Sequence, residues 1–299
     1  MKKISFLPFL LSFALFLGLV TPISAEEELN WVEGGQTVEL GDNLATLDLA
    51  PELLFLNKED TIKLEEQNQD TPTGLELASI FPAAEDQDWA VFVEYEEVGY
   101  IRDEDQNEID ADAILADYKE GTEEANKDRN PEDYLHVVGW DVKPTYDKTT
   151  HRLEWSMLAE DAQKNPVINY NVRMLTRKGY LSFILVSDPA NLAQDKEAMK
   201  NLIFPALKVK EGNRYEDFNE ATDAVAEYGL TGLILGGLGL AVAKKAGLLA
   251  ILLVVLKKGW VFILLIGGAL LKFGKKLFGR KKAENVATPV ETTEFTVDK

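Results

Sequence analysis

From Tyr228 to Lys282 the chain carries ten lysines and arginines and no aspartate or glutamate. Apolar runs alternate with the basic residues. Tyr228–Ala243 is followed by Lys244-Lys245, Ala246–Leu256 by Lys257-Lys258, and Gly259–Leu271 by a cluster ending in Arg280-Lys281-Lys282. A helix that crosses a bilayer needs about 20 consecutive apolar residues. The first run has sixteen and reaches that length only if its ends snorkel; the later runs are shorter. A lysine at the bilayer centre costs roughly 2.5–3.5 kcal/mol, so each lysine pair marks an interface more naturally than the middle of one long helix. The expectation is a membrane segment over 228–282 that meets the lipid bilayer through residues 228–271. Residues 228–243 cross first, and Lys244-Lys245 stops transfer. One or three crossings leave the basic flank in the cytoplasm, as the positive-inside rule requires. The polar, Thr-rich tail 283–299 reads as disordered.

The opposite end carries its own membrane signal. Met1-Lys2-Lys3 precedes an apolar stretch from Ile4 to Val20, and Thr21-Pro22-Ile23-Ser24-Ala25 closes it. A positive start, a short apolar core and a small residue at the end form a cleavable export signal over residues 1–25. An uncleaved anchor is the competing reading, disfavoured by the short apolar run. Cleavage after Ala25 places Glu26 outside the cytoplasm, periplasmic or on the cell surface, so the first crossing runs outside to inside.

Between these ends lie residues 26–227, enough for one domain with its own core. They hold 18 Lys+Arg against 47 Asp+Glu, a net charge of −29. Such a domain repels polyanions, which excludes nucleic acid as a partner. Zero cysteines exclude disulfides, thiolate zinc sites, thiol nucleophiles and a lipid anchor on cysteine.

Several runs read as strands: Trp89–Tyr95, Leu135–Trp140, Arg152–Leu158, Val167–Leu175 and Tyr180–Val186. The short Gly-containing link Thr176–Gly179 makes the last two a hairpin and the last three a meander. Helical spacing covers Asp110–Lys127 and a segment opened by Asp188-Pro189, where Asp caps and Pro suits the first turn. A third helix is expected over Asp217–Glu227, leading straight to the membrane. The fold class is α+β: an antiparallel sheet with packed helices, followed by one or more C-terminal transmembrane helices.

Chemistry is sparse. The only histidines are His136 and His151. With Asp141, Asp147 or Glu154 either could form an acid–base pair, although a polar aromatic on a strand face needs no such role. Ser156 and Ser182 have no activating partner by spacing, and no phosphate loop, dinucleotide fingerprint or hydrolase elbow appears. Asp103-Glu104-Asp105-Gln106-Asn107-Glu108 begins like a calcium loop, but Glu108 stands where glycine is needed and Ile114 where the closing glutamate belongs. No cofactor or metal site is expected. Gly232 and Gly236 form a GxxxG pair, a spacing through which helices self-associate.

One set of motifs points further. It comprises Gly121-Thr122-Glu123-Glu124-Ala125-Asn126, Leu135-His136-Val137-Val138-Gly139-Trp140, Tyr146-Asp147 with Thr150-His151-Arg152-Leu153, Asn169-Tyr170-Asn171, and Gly212-Asn213-Arg214-Tyr215 with Asp217-Phe218. With the approach Ala226–Lys245, these residues resemble the bacterial predicted membrane-anchored proteins classed as a domain of unknown function, over about Trp31 to Lys282. The resemblance implies an envelope location and the same domain-plus-anchor layout, and no activity. The expected role is that of a non-enzymatic, membrane-anchored envelope protein that binds, senses or scaffolds, with an envelope protein as partner. The competing expectation is an envelope hydrolase using His136 or His151 with a nearby carboxylate.

Overall fold

The structure is a computed structural model and describes residues 28–235 apart from 69 and 71. The export signal, most of the membrane segment and the tail lie outside the described residues. The N-terminal part folds as β1 (Val32–Glu33), β2 (Gln36–Leu40), β3 (Ala45–Leu49), β4 (Leu53–Asn57), α1 (Lys58–Gln67), β5 (Glu76–Pro82) and β6 (Trp89–Glu96). After α2 (Ala111–Asn126) come four long strands: β7 (Leu135–Asp147), β8 (Arg152–Asp161), β9 (Pro166–Thr176) and β10 (Gly179–Ser187). The chain then makes α3 (Leu192–Leu202), β11 (Leu207–Val209) and α4 (Leu230–Ile234).

Eight strands form one antiparallel sheet in the order β1-β4-β5-β6-β10-β9-β8-β7, and β11-β3-β2 form a second, three-stranded sheet. The mixed architecture with a large antiparallel sheet is the expected one, and β8-β9-β10 is the expected meander. Alternation divides the large sheet into two faces. One face buries Val91, Val93, Val172, Leu181 and Phe183 against Met199 and Ile203 from the α3 region and against the small sheet. The other face is covered in two places. Leu64 of α1 packs with Phe81 and Phe92 at one end. At the other end Ile114 and Tyr118 of α2 pack with Leu153, Trp155 and the segment 215–234.

Local chemistry sets the helix ends. Asp110 accepts the amides of Asp112 and Ala113 and caps α2, as aspartate does at an N-cap. Asn57 caps α1 through the Asp60 amide. Asp188 instead accepts from Ala190 within a turn, and α3 begins four residues later, at Leu192.

The expected helix over Asp217–Glu227 is absent. A single 3-10 turn, Tyr215–Asp217, is followed by irregular chain up to Gly229. That chain finds its hydrogen bonds in the domain: the Tyr100 amide donates to Ala224 and the Ala226 amide to Tyr100. Among the described residues no helix is long and apolar enough to cross a membrane.

Candidate functional site

The β7–β8 hairpin presents different chemistry on its two faces, because neighbours along a strand point opposite ways. Thr145, Asp147, Arg152 and Glu154 face α3 and border a groove of about 310 Å³. Lys200 of α3 forms the far wall, and Phe204, just past α3, supplies an apolar surface. Tyr146 and Leu153, one residue along on each strand, face the other layer.

The acids of the groove already have partners. Asp147 accepts the Thr149 amide at 2.8 Å and the Thr150 hydroxyl at 2.7 Å; those bonds, the hydroxyl's first, hold its carboxyl below the ordinary range. Glu154 accepts the phenol of Tyr170 and lies 3.4 Å from Lys200. That contact and burial push the Tyr170 phenol up, burial being the larger cause. Lys196 pairs with Asp141 at 3.0 Å. Arg152 lies over the Phe204 ring at 4.8 Å, a cation–π placement.

Behind the groove, the Tyr146 hydroxyl donates to Asp103 at 2.9 Å and lies 3.0 Å from His151 Nδ1. A phenol has one proton, so with that proton on Asp103 its oxygen accepts from His151. Burial first, then the Asp103 carboxylate, raises the Tyr146 pKa well above its ordinary value. His151 has φ 49°, in the left-handed region, where non-glycine residues are uncommon. Its ring lies 4.2 Å from that of Tyr215, whose hydroxyl donates to Ile101 at 2.8 Å.

From this cluster the contacts continue to the last described residues. Asp105, two residues past Asp103, accepts the amides of Leu230 at 3.2 Å and Thr231 at 3.4 Å and so caps α4. Arg177 grips Asp223 with two N–H groups, at 2.6 and 2.8 Å, and that grip depresses the Asp223 pKa. Leu230, Leu233 and Ile234 are buried in the α2 core. Gly232, one half of the GxxxG pair, is packed so closely on Tyr228 that a Cβ there would lie 2.6 Å from the Tyr228 side chain; Gly236 is outside the described residues.

The two histidines are far apart in role. His136 sits on β7 with Nδ1 2.7 Å from Glu123 of α2, in an exposed pair. His151 belongs to the Tyr146–Asp103 cluster. Neither borders the groove, and neither takes the carboxylate that spacing suggested: Asp141, Asp147 and Glu154 are engaged elsewhere. Ser156 and Ser182 are buried with hydroxyls bonded to no described group. Among the described residues no three His, Asp or Glu side chains are disposed to hold a metal ion. Sequence reasoning gave no role to Tyr146, Arg152 and Lys200 and met Asp105 only within the broken calcium-like run; the motif Tyr146-Asp147…Thr150-His151-Arg152 marked the place of the hairpin.

No curated protein matches the chain. Among solved structures, the solution structure of cyanobacterial PsbP (CyanoP) from Synechocystis sp. PCC 6803 is similar over 65% of this chain and 99% of that one, at 8% identity. Its TM-score of 0.35 is below that of a shared fold. The family comparison reaches further, from β1 past the end of the described domain: the sequence model described as "Protein of unknown function (DUF2167)" matches residues 32–268, and the chain belongs to that family.

Proposed function

We propose that this chain is a membrane-anchored envelope protein whose acidic domain is a binding or sensing module. In this reading the groove between the β7–β8 hairpin and α3 is the receptive face, and residues 215–235 connect that face to the membrane segment. One observation carries it. The hairpin that walls the groove also holds, through Tyr146 and His151, Asp103 and Tyr215, and these lead directly to the Asp105 cap of α4 and to the irregular chain before it. Coupling between sites needs such a contiguous set of packed groups.

Anchoring is supported by the export signal at residues 1–25 and by the acid-free apolar sequence that continues past Leu235. A catalytic reading has less support, since neither histidine borders the groove and neither buried serine is bonded to one.

The cysteine-free chain allows a clean test of location. Lys148→Cys, on the hairpin, and Lys281→Cys, in the basic flank, are introduced separately into the full chain. Cells stripped of any outer barrier are then treated with a membrane-impermeant maleimide. The proposal expects membrane sedimentation, labelling at 148, and protection at 281 until lysis. Protection at 148 in those cells, or recovery of the full chain in the soluble fraction, contradicts it.

A further inference from the structure

Arg152 and Asp147 stand directly opposite each other across the β7–β8 hairpin. Cross-strand neighbours of opposite charge sit about 4.5–5.5 Å apart at Cβ and ordinarily pair. Here they do not. Asp147 is turned into the loop, onto the Thr149 amide and the Thr150 hydroxyl. Arg152 is turned across the groove onto Phe204, and among the described residues no carboxylate closes an ion pair with it and no acceptor takes its N–H groups. An arginine presents five donors in a planar fork matched to a carboxylate. The groove therefore offers an unused positive fork beside an ionised carboxylate whose oxygens each retain a second lone pair.

Charge and size narrow the ligand. The net charge of −29 over residues 26–227 disfavours a simple anion such as phosphate, which that field repels. A cation alone leaves Arg152 unmatched. A molecule with both charges satisfies both groups and costs little against the overall field. A groove of about 310 Å³ is at the small end of ligand sites, and its floor is apolar, formed by the nearly buried Phe204 and Val172.

We propose that the groove binds a small zwitterion of amino-acid or short-peptide size, its carboxylate on Arg152 and its ammonium on Asp147. This rests on the groove being the domain's receptive face.

The test is calorimetric titration of the full chain in detergent micelles with four probes: leucyl-leucine, N-acetyl-leucyl-leucine, leucyl-leucinamide and inorganic phosphate. Leucyl-leucine binds at millimolar concentration, each blocked peptide binds at least about tenfold more weakly because one charged hydrogen bond is lost, and phosphate gives no signal. Arg152→Gln removes the advantage of the free carboxylate. Arg152→Lys, which keeps the charge and loses the fork, recovers only part of it, and both variants retain the wild-type far-UV spectrum. Equal binding of free and capped peptides, undiminished binding by Arg152→Gln, or no binding by any probe overturns the zwitterion assignment. Thr145→Trp, which fills the groove, separates that outcome from failure of the receptive-face reading. If it abolishes binding that Arg152→Gln leaves intact, the groove stands and the zwitterion falls; if it leaves binding intact, both fall.

Discussion

The hydroxyl of Tyr118, midway along α2, donates a 2.6 Å hydrogen bond to the carbonyl of Ile234 in α4. It ties the domain's longest helix to the segment that leads toward the apolar C-terminal runs. Beside it Leu230, Leu233 and Ile234 are each at most 1% exposed, and burying such side chains stabilises by roughly 1.5–3 kcal/mol apiece. The apolar run Tyr228–Ala243 therefore begins inside the domain core. Past Leu235 only eight of its residues remain before Lys244, well under the about 20 that a crossing needs.

Tyr118→Phe keeps the ring and removes the side-chain donor that the Ile234 carbonyl has among the described residues. The expected loss is about 1–3 kcal/mol, expressed as local opening of α4. Hydrogen exchange on the full chain checks this: the amides of 230–235 lose protection while those of β6 and β10 keep theirs. Uniform loss across the domain would show that α4 is not separately held.

Gly99 has φ 95°, and a Cβ there would lie 2.9 Å from the amide nitrogen of Ala226. Gly99→Ala combines a strained backbone conformation, worth roughly 1–3 kcal/mol, with displacement of the strand-like pairing at Tyr100 and Val225. Chemical denaturation of the full chain is expected to show a lower midpoint of about that size. An unchanged midpoint would mean that residues 224–226 are not bound as described.

Glu65, only 3% exposed, carries a pKa pushed up to about 9 by burial first and then by the charges of Glu76, Glu94 and Asp70. Asp70 is pushed up to about 6 by burial. A carboxyl whose folded pKa exceeds its unfolded value keeps a proton that the unfolded chain releases. Its contribution to stability is therefore complete below about pH 4.5 and is lost as pH rises toward about 9. Glu65→Gln cannot ionise. The melting temperature of the variant, relative to wild type, is expected to climb steadily between pH 5 and pH 9, the window set by those pKa values. A difference that stays flat with pH would place Glu65 in an ordinary, ionised state.

What could be read from the sequence followed how locally each feature is encoded. β6 and β10 are dense in aromatic and β-branched residues, and Trp89–Glu96 and Gly179–Ser187 form at the expected places. α2 was visible because Asp110 and a one-sided apolar pattern lie within its own span. The small sheet was not visible, since β2 and β3 are short and β11, the strand that completes it, joins β3 from the far end of the domain. Leu230–Ile234 shows the limit most clearly: an apolar pattern tells that a segment avoids water, and does not tell a protein core from lipid. The site had the same limit. Tyr146 meets Asp103 across 43 residues, and Arg152 reaches Phe204 only because α3 folds back over the sheet. Spacing instead suggested Asp141, Asp147 and Glu154 as partners for the histidines, and each of these is committed to nearer donors.

The central claim is that the groove-bearing hairpin and the chain's exit at α4 respond to one another, and Tyr146→Phe tests it most directly. That substitution removes the hydroxyl shared by Asp103 and His151, keeps the ring that packs on the core holding Leu230 and Leu233, and changes no residue of the groove lining. Coupling carried through packed groups is worth about 0.5–2 kcal/mol. The account therefore predicts that hydrogen exchange at Leu230, Thr231 and Leu233 in the full chain speeds up by roughly 2- to 30-fold on that coupling, with the central strands unchanged. Faster exchange confined to the hairpin, with the α4 amides exchanging as in the wild type, would contradict it.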